Sequence, residues 1–183
     1  MRFTIYTLAA FFLLLMFLPS AANAQRRDYL TDEEIELVRD AQQIDLRVDV
    51  LVKAIDRRFI ALSGDVSQTQ KLEKDDEKWG ALPKGKRVQL LSDIARILQK
   101  AVDDIDDLAM RENGMNSEFF PKAVFKLADG AQKFLPELKS ELDKVVEEKE
   151  RGSILTAMDL CNQINEAAAK LPKETKKEKK KKN

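Results

Sequence analysis

The 183-residue chain contains no histidine and a single cysteine. Histidine is the commonest general base near neutral pH and the commonest transition-metal ligand, so whole classes of chemistry fall with it. Ser-His-Asp and Cys-His catalysis, zinc hydrolysis through His ligands and the Glu-x-x-His sites of di-iron bundles cannot be assembled from this chain alone. A Cys-x-x-Cys-His haem attachment is also missing. The six glycines, at 64, 80, 85, 114, 130 and 152, stand singly and build no Gly-rich phosphate cradle. No cofactor and no resident metal is expected. Aromatics are scarce as well: past Ala24 there are only Tyr29, Phe59, Trp79, Phe119, Phe120, Phe125 and Phe134. Most of these Phe residues fall on apolar helical stripes, which leaves little to line a sugar cleft. A secreted hydrolase working through two carboxylates alone is therefore the remaining enzymatic alternative, and the expectation is a protein that is not an enzyme.

Long apolar runs are absent except at the N-terminus. Arg2 supplies a positive n-region, Ile5 to Leu18 an apolar stretch, and Ala22-Asn23-Ala24 a small-x-small cleavage site after Pro19. This is the pattern of a cleavable secretory signal over residues 1–24. The competing reading, a membrane anchor, is disfavoured because the apolar core is shorter than the roughly 20 residues a spanning helix needs. The mature chain is expected to begin near Gln25, to be exported to the periplasm or the medium, and to contain no transmembrane span.

Net charge is absent overall, with 32 basic and 32 acidic side chains, but its distribution is uneven. Residues 173–183 hold seven Lys and two Glu, a net of +5, while residues 25–172 carry −6. Three segments follow: a signal over 1–24, a helical domain over 25–172 and a basic tail over 173–183, expected to be disordered because like charges repel and extend a chain.

Cys161 cannot form an internal disulfide and leaves two readings, a bridge between two chains or a core position. Ile154, Ala157, Met158, Cys161, Ile164, Ala168 and Leu171 recur at spacings of three and four, which places the thiol on an apolar helix face and favours the core.

The rest of the chain reads as helix. Thr31-Asp32-Glu33-Glu34 is a capping-box pattern, and the stripe Ile35, Val38, Ala41, Ile44, Val48, Leu51, Ile55, Phe59 and Leu62 predicts one long helix closing at Ser63-Gly64. Residues 64–85 break the period and read mainly as a connection, long for a compact domain. Within it Trp79 either pins the connection to the bundle or stands exposed as a partner anchor. Two adjacent stripes over Lys86 to about Arg111 predict the most buried helix, with Asp93, Arg96, Lys100, Asp103, Asp107 and Arg111 forming a solvated face.

A turn at Asn113-Gly114 precedes Ser117, which can cap a third helix whose stripe runs from Phe120 to Val145 across Pro136, where a kink is expected. Residues 137–150 resemble a coiled-coil surface and suggest self-association. Gly152-Ser153 is read as a turn into a last helix that stops at Pro172. No segment alternates with period two, so strands are not expected, and no repeat of 20 to 50 residues is visible. The expected architecture is an all-α antiparallel bundle of about four main helices.

Two charged features remain as candidate sites. Asp103, Asp104, Asp106 and Asp107 could attract a hard cation, but a regular helix cannot wrap calcium with the six to eight oxygens it commonly takes. Lys100 and Arg111 also stand at neutralising spacing, so a solvated face is the favoured reading. The tail lysines Lys173, Lys176, Lys177, Lys179, Lys180, Lys181 and Lys182 either solubilise the protein or contact an anionic surface such as lipid headgroups, envelope polysaccharide or nucleic acid. Near an anionic membrane each Lys adds at most about 1 kcal/mol, which makes such contact weak and salt-sensitive. No aromatic interleaves them to stack bases, so sequence-specific nucleic-acid binding is not expected. The chain as a whole reads as an exported, non-enzymatic helical protein that binds or scaffolds an unknown protein or an anionic envelope surface.

Overall fold

A computed structural model describes residues 28–64 and 77–172. The expected signal and the whole basic tail lie outside the described residues. Those described form an all-α bundle of five helices with two 3-10 turns and no strand. The helices are α1 (Asp32–Asp40), α2 (Ile44–Ser63), α3 (Arg87–Ala109), α4 (Phe119–Leu142) and α5 (Glu148–Lys170). Four are long, as the stripes require, and the short α1 is the addition.

The capping box forms as read. Thr31 Oγ1 accepts from the Glu34 amide at 3.3 Å and Glu34 Oε2 accepts from the Thr31 amide at 3.0 Å. The single long helix expected from Asp32 to Leu62 does not form. The chain leaves helical conformation at Ala41 (ψ 83°), is extended at Gln43 and restarts at Ile44, and Arg47 Nε donates to the freed Ala41 carbonyl at 3.1 Å. The reason is tertiary. In an unbroken helix Glu34 and Arg57 would stand about 35 Å apart, at 1.5 Å per residue, whereas the break folds α1 back along α2 until the two side chains meet. Gly64 ends α2 in the left-handed conformation, φ 65°, where a side chain is strained.

The connection enters the description at the 3-10 turn Glu77–Trp79 and runs without regular structure to α3. α4 remains one helix across Pro136, which faces solvent. Pro121 falls in its first turn, where the missing N–H would find no intrahelical acceptor anyway. Ser117 Oγ accepts from the Phe119 amide at 3.3 Å, so this residue does serve the start of α4.

One expected turn moves. Gly152-Ser153 lies inside α5, and the chain reverses instead at residues 143–147. The 137–150 stretch is consequently a corner between two helices, with Leu138, Glu141 and Glu150 buried, and not a continuous coiled-coil surface.

Ion pairs set the helix directions. Lys126 pairs with Asp45 and Asp49 while Lys133, two turns on, pairs with Asp56, so α4 runs parallel to α2. Arg87 at the start of α3 meets Glu141 at the end of α4 and Glu150 at the start of α5, so α3 is antiparallel to α4 and parallel to α5. Successive long helices thus alternate in direction, yet α2 sits between α3 and α4, and α5 also sits between them. The α3–α4 connection must therefore cross one end of the bundle diagonally. Its 3-10 turn, Gly114–Asn116, touches both helices. A Cβ on Gly114 would fall 1.8 Å from the Leu108 carbonyl oxygen, so only glycine fits this crossing.

The core runs the length of the bundle. Val48, Leu51 and Ile55 from α2, Ile94, Ile97 and Leu98 from α3, Leu127, Phe134 and Leu138 from α4, and Ile154 from α5 are all fully or almost fully buried.

Candidate functional site

The most heavily buried charge in the described structure sits where α1 folds onto α2. Glu34 is fully buried, and Arg57 and Arg58 are 2% and 1% exposed. Glu34 Oε1 accepts from Arg57 Nε at 3.2 Å and from Arg58 Nη1 at 2.5 Å. Arg58 continues to the carbonyls of Ala54 (2.8 Å) and Tyr29 (2.6 Å). Arg57 Nη2 donates to three successive carbonyls of the connection, Trp79 (2.9 Å), Gly80 (3.2 Å) and Ala81 (2.6 Å). One carboxylate thereby joins α1 and α2, while its two arginines tie down the N-terminal segment and the connection.

Burial holds the Arg57 guanidinium below its ordinary pKa, with Glu34 opposing the shift. Exposed Glu33 is held below the carboxylate range, chiefly by its own backbone amide and then by the Thr31 hydroxyl, with Arg57 adding attraction. Glu34 is thus the carboxylate in contact with both guanidiniums, and Arg58 Nε keeps no partner in the described residues.

Trp79 belongs to this node. Its side chain is 4% exposed, with Lys53 Nζ 4.6 Å and Arg57 Cζ 5.5 Å from the ring centroid. Of the two readings of Trp79, the exposed partner anchor is corrected: the ring pins the connection to the bundle. The polar stripe of α3 needs a similar correction, because Asp93 is buried at 3%. The N-terminal segment lies over this stretch, with the Tyr29 ring 4.3 Å from Arg96 Cζ and Leu30 buried in the core.

A second polar node joins the start of α3, the end of α4 and the start of α5. Arg87 Nη1 donates to Glu141 Oε2, Nη2 to the Glu141 carbonyl at 3.0 Å and Nε to Glu150 Oε2 at 3.3 Å. Burial raises the Glu141 pKa, but hydrogen bonds from Lys144 and Arg87 outweigh it and hold the carboxyl below its ordinary range. Glu137, one turn earlier, has no such donors: burial pushes it up, and the nearby carboxylates Asp56 and Glu141 push the same way against Lys133.

Among the described residues, depressions on the surface include these three. The first, about 600 Å³, lies between α2 and α4 and combines Phe59 and Ile60 with Lys53, Asp56, Lys133 and Glu137. A smaller one of about 340 Å³ is floored by Arg58 and rimmed by Asp28, Asp32, Glu33 and Lys84. The third, about 610 Å³, runs between the parallel helices α3 and α5 over Ala95, Gly152 and Thr156.

Cys161 is fully buried and its thiol is pushed up to about 12 by burial, which agrees with the core reading. The four aspartates at the end of α3 are spread along one helix rather than gathered. Lys100 pairs with Asp104 at 3.0 Å, Gln99 donates to Asp103 at 2.8 Å, and no metal-ligand grouping occurs among the described residues. The lysines from Lys173 to Lys182 fall outside the described residues.

The Glu34–Arg57–Arg58 node went unread because its members lie 23 and 24 residues apart. The one local signal was that Arg58, three residues after Ile55 and four before Leu62, falls on the apolar stripe of the helix. Set against known proteins, the chain matches no family model, no curated protein and no solved structure.

Proposed function

We propose that this is an exported helical protein that acts by binding or scaffolding and not by turnover. The observation that carries the reading is the Glu34 node. Groups tuned for acid–base chemistry stand in clefts with their reactive atoms open to substrate, whereas both Glu34 oxygens are already engaged with donors on other segments. Burial and charge are used here to lock α1, α2 and the connection into one rigid body. Rigidity lowers the ordering cost of binding, and the mixed apolar and charged α2–α4 cleft is the surface such a body offers to a partner. Export rests on the sequence of residues 1–24. No helix among the described residues is long and apolar enough to cross a membrane.

The test places a photo-crosslinking residue at Lys133, on the cleft rim, and separately at Thr156 on the far groove, in the full chain expressed in its native host. A discrete adduct from the cleft position alone, competed by excess unlabelled protein, supports the reading. Turnover of a defined substrate by the pure protein, abolished by one carboxylate change, overturns it.

The charge split of the chain favours a second reading, association with an anionic envelope surface through the lysines from Lys173 to Lys182. Co-sedimentation with anionic vesicles at low and high salt, beside a chain ending at Pro172, tests it. Binding that survives truncation would refute the tail as the contact.

A further inference from the structure

The outward face of the end of α3, and the turn that follows it, is exposed to solvent. Asp103, Asp106, Asp107, Met110, Arg111 and Glu112 are all exposed, and Met110 retains 83% of its surface. Residues 103–118 hold six carboxylates against Arg111 alone, a net of −5. Lys100 answers Asp104 and Lys122 answers Glu118 from just outside this stretch, which leaves Asp103, Asp106, Asp107 and Glu112 against Arg111.

The course of α5 brings the end of the described chain to this face. α5 runs parallel to α3, and the Arg87–Glu150 pair sets a register of 63 residues between them, which puts Lys170 level with Asp107. Leu171 packs against the core at the same end. The eleven residues after Pro172 carry seven Lys and two Glu, a net of +5. Extended, they reach at most about 40 Å, while the α3 part of the acidic face, from Asp103 to Ala109, is only about 9 Å long at the helical rise.

We propose that residues 173–183 dock on the acidic end of their own bundle, across Asp103, Asp106, Asp107 and Glu112. The opposite charges match, and the short tether holds the tail near this face at an effective concentration of about millimolar. The contact is electrostatic and tolerant of register, and any external anionic surface must compete with it for the lysines. It does not depend on the cleft reading above.

The full mature chain carrying Glu178→Cys with a nitroxide label tests this by paramagnetic broadening of backbone amides. Cys161 is buried and stays unlabelled in the folded protein. At low salt the amides of residues 103–112 should lose most of their intensity. They should recover it in 1 M salt, where the screening length falls from about 10 Å at 0.1 M to about 3 Å. They should also recover in the triple variant Asp103→Asn, Asp106→Asn, Asp107→Asn.

Broadening confined to residues beside Pro172, or unaffected by salt, overturns the proposal. So does equal broadening of an isotope-labelled chain without nitroxide mixed with a spin-labelled, isotope-silent one, since the occupant would then be a second copy. Should the triple variant fail to fold, the salt titration of the otherwise unaltered chain decides alone.

Discussion

Replacing Glu34 with Gln tests whether charge, and not shape, holds α1 on the bundle. The amide keeps the side-chain volume but offers one acceptor oxygen where the carboxylate offered two. Either the arginine pair or the Thr31 amide must then face an N–H group. Two guanidiniums whose side chains are 3% and 1% exposed lose their buried counter-charge. Removing one partner of a buried ion pair typically costs about 3–5 kcal/mol.

Glu33 stays near Arg57 and compensates in part, which places the expected loss near the lower end, about 3 kcal/mol. Domains are commonly stable by about 5–15 kcal/mol, so the variant should still fold and its loss can be measured. With a urea m-value of about 2 kcal/mol/M the midpoint should fall by about 1.5 M. Trp79 is the only tryptophan and sits beside Arg57, so its fluorescence follows both global unfolding and release of the connection. Glu36→Gln is the internal control. It breaks a pair with Arg39 whose side chains are 61% and 66% exposed, and should cost no more than about 1 kcal/mol. Equal midpoints for the two variants would refute the reasoning.

Other perturbations have defined signs. Gly152→Ala should stabilise by about 1 kcal/mol, because the residue lies inside α5 and its Cβ would meet nothing within 4 Å. Gly114→Ala should destabilise by about 1–3 kcal/mol, since its Cβ would strike the Leu108 carbonyl; urea midpoints distinguish the two. Cys161 should resist thiol reagents in the folded protein and react only at the rate of opening, which a timed colorimetric titration with and without urea reads directly.

Glu141 has a folded pKa below its ordinary value of 4.5. Its charged form therefore stabilises the fold above that value, and the contribution is lost as pH falls through the folded pKa. Glu141→Gln should accordingly be less stable than the parent at pH 7, with the gap narrowing in denaturation curves taken below pH 4.5.

The helical periods were legible in the sequence because each long helix buries one face continuously, and spacings of three and four record that face whatever lies against it. Capping at Thr31 and closure at Gly64 were legible for the same reason, since both act within a few residues. The break at Ala41 was not. The apolar stripe keeps its phase through Ile44, and nothing local opposes helix there. The turn at 143–147 was obscured by Gly152, whose permissiveness allows a turn without requiring one. The acidic residues Glu147, Glu148 and Glu150, suited to a helix start, were the better signal.

By itself the sequence determined that the described residues are helical, which of their faces are apolar, that Cys161 sits among them, and that this chain alone cannot build histidine or haem-attachment chemistry. Only the tertiary structure decided that α1 folds back on α2, that α3 and α4 lie across a diagonal, and that Trp79 is held inward. The same packing buried Glu34 between two arginines. Periodicity describes one helix against an unspecified interior, whereas order, direction and ion pairing depend on which residues meet after 20 to 80 positions of intervening chain.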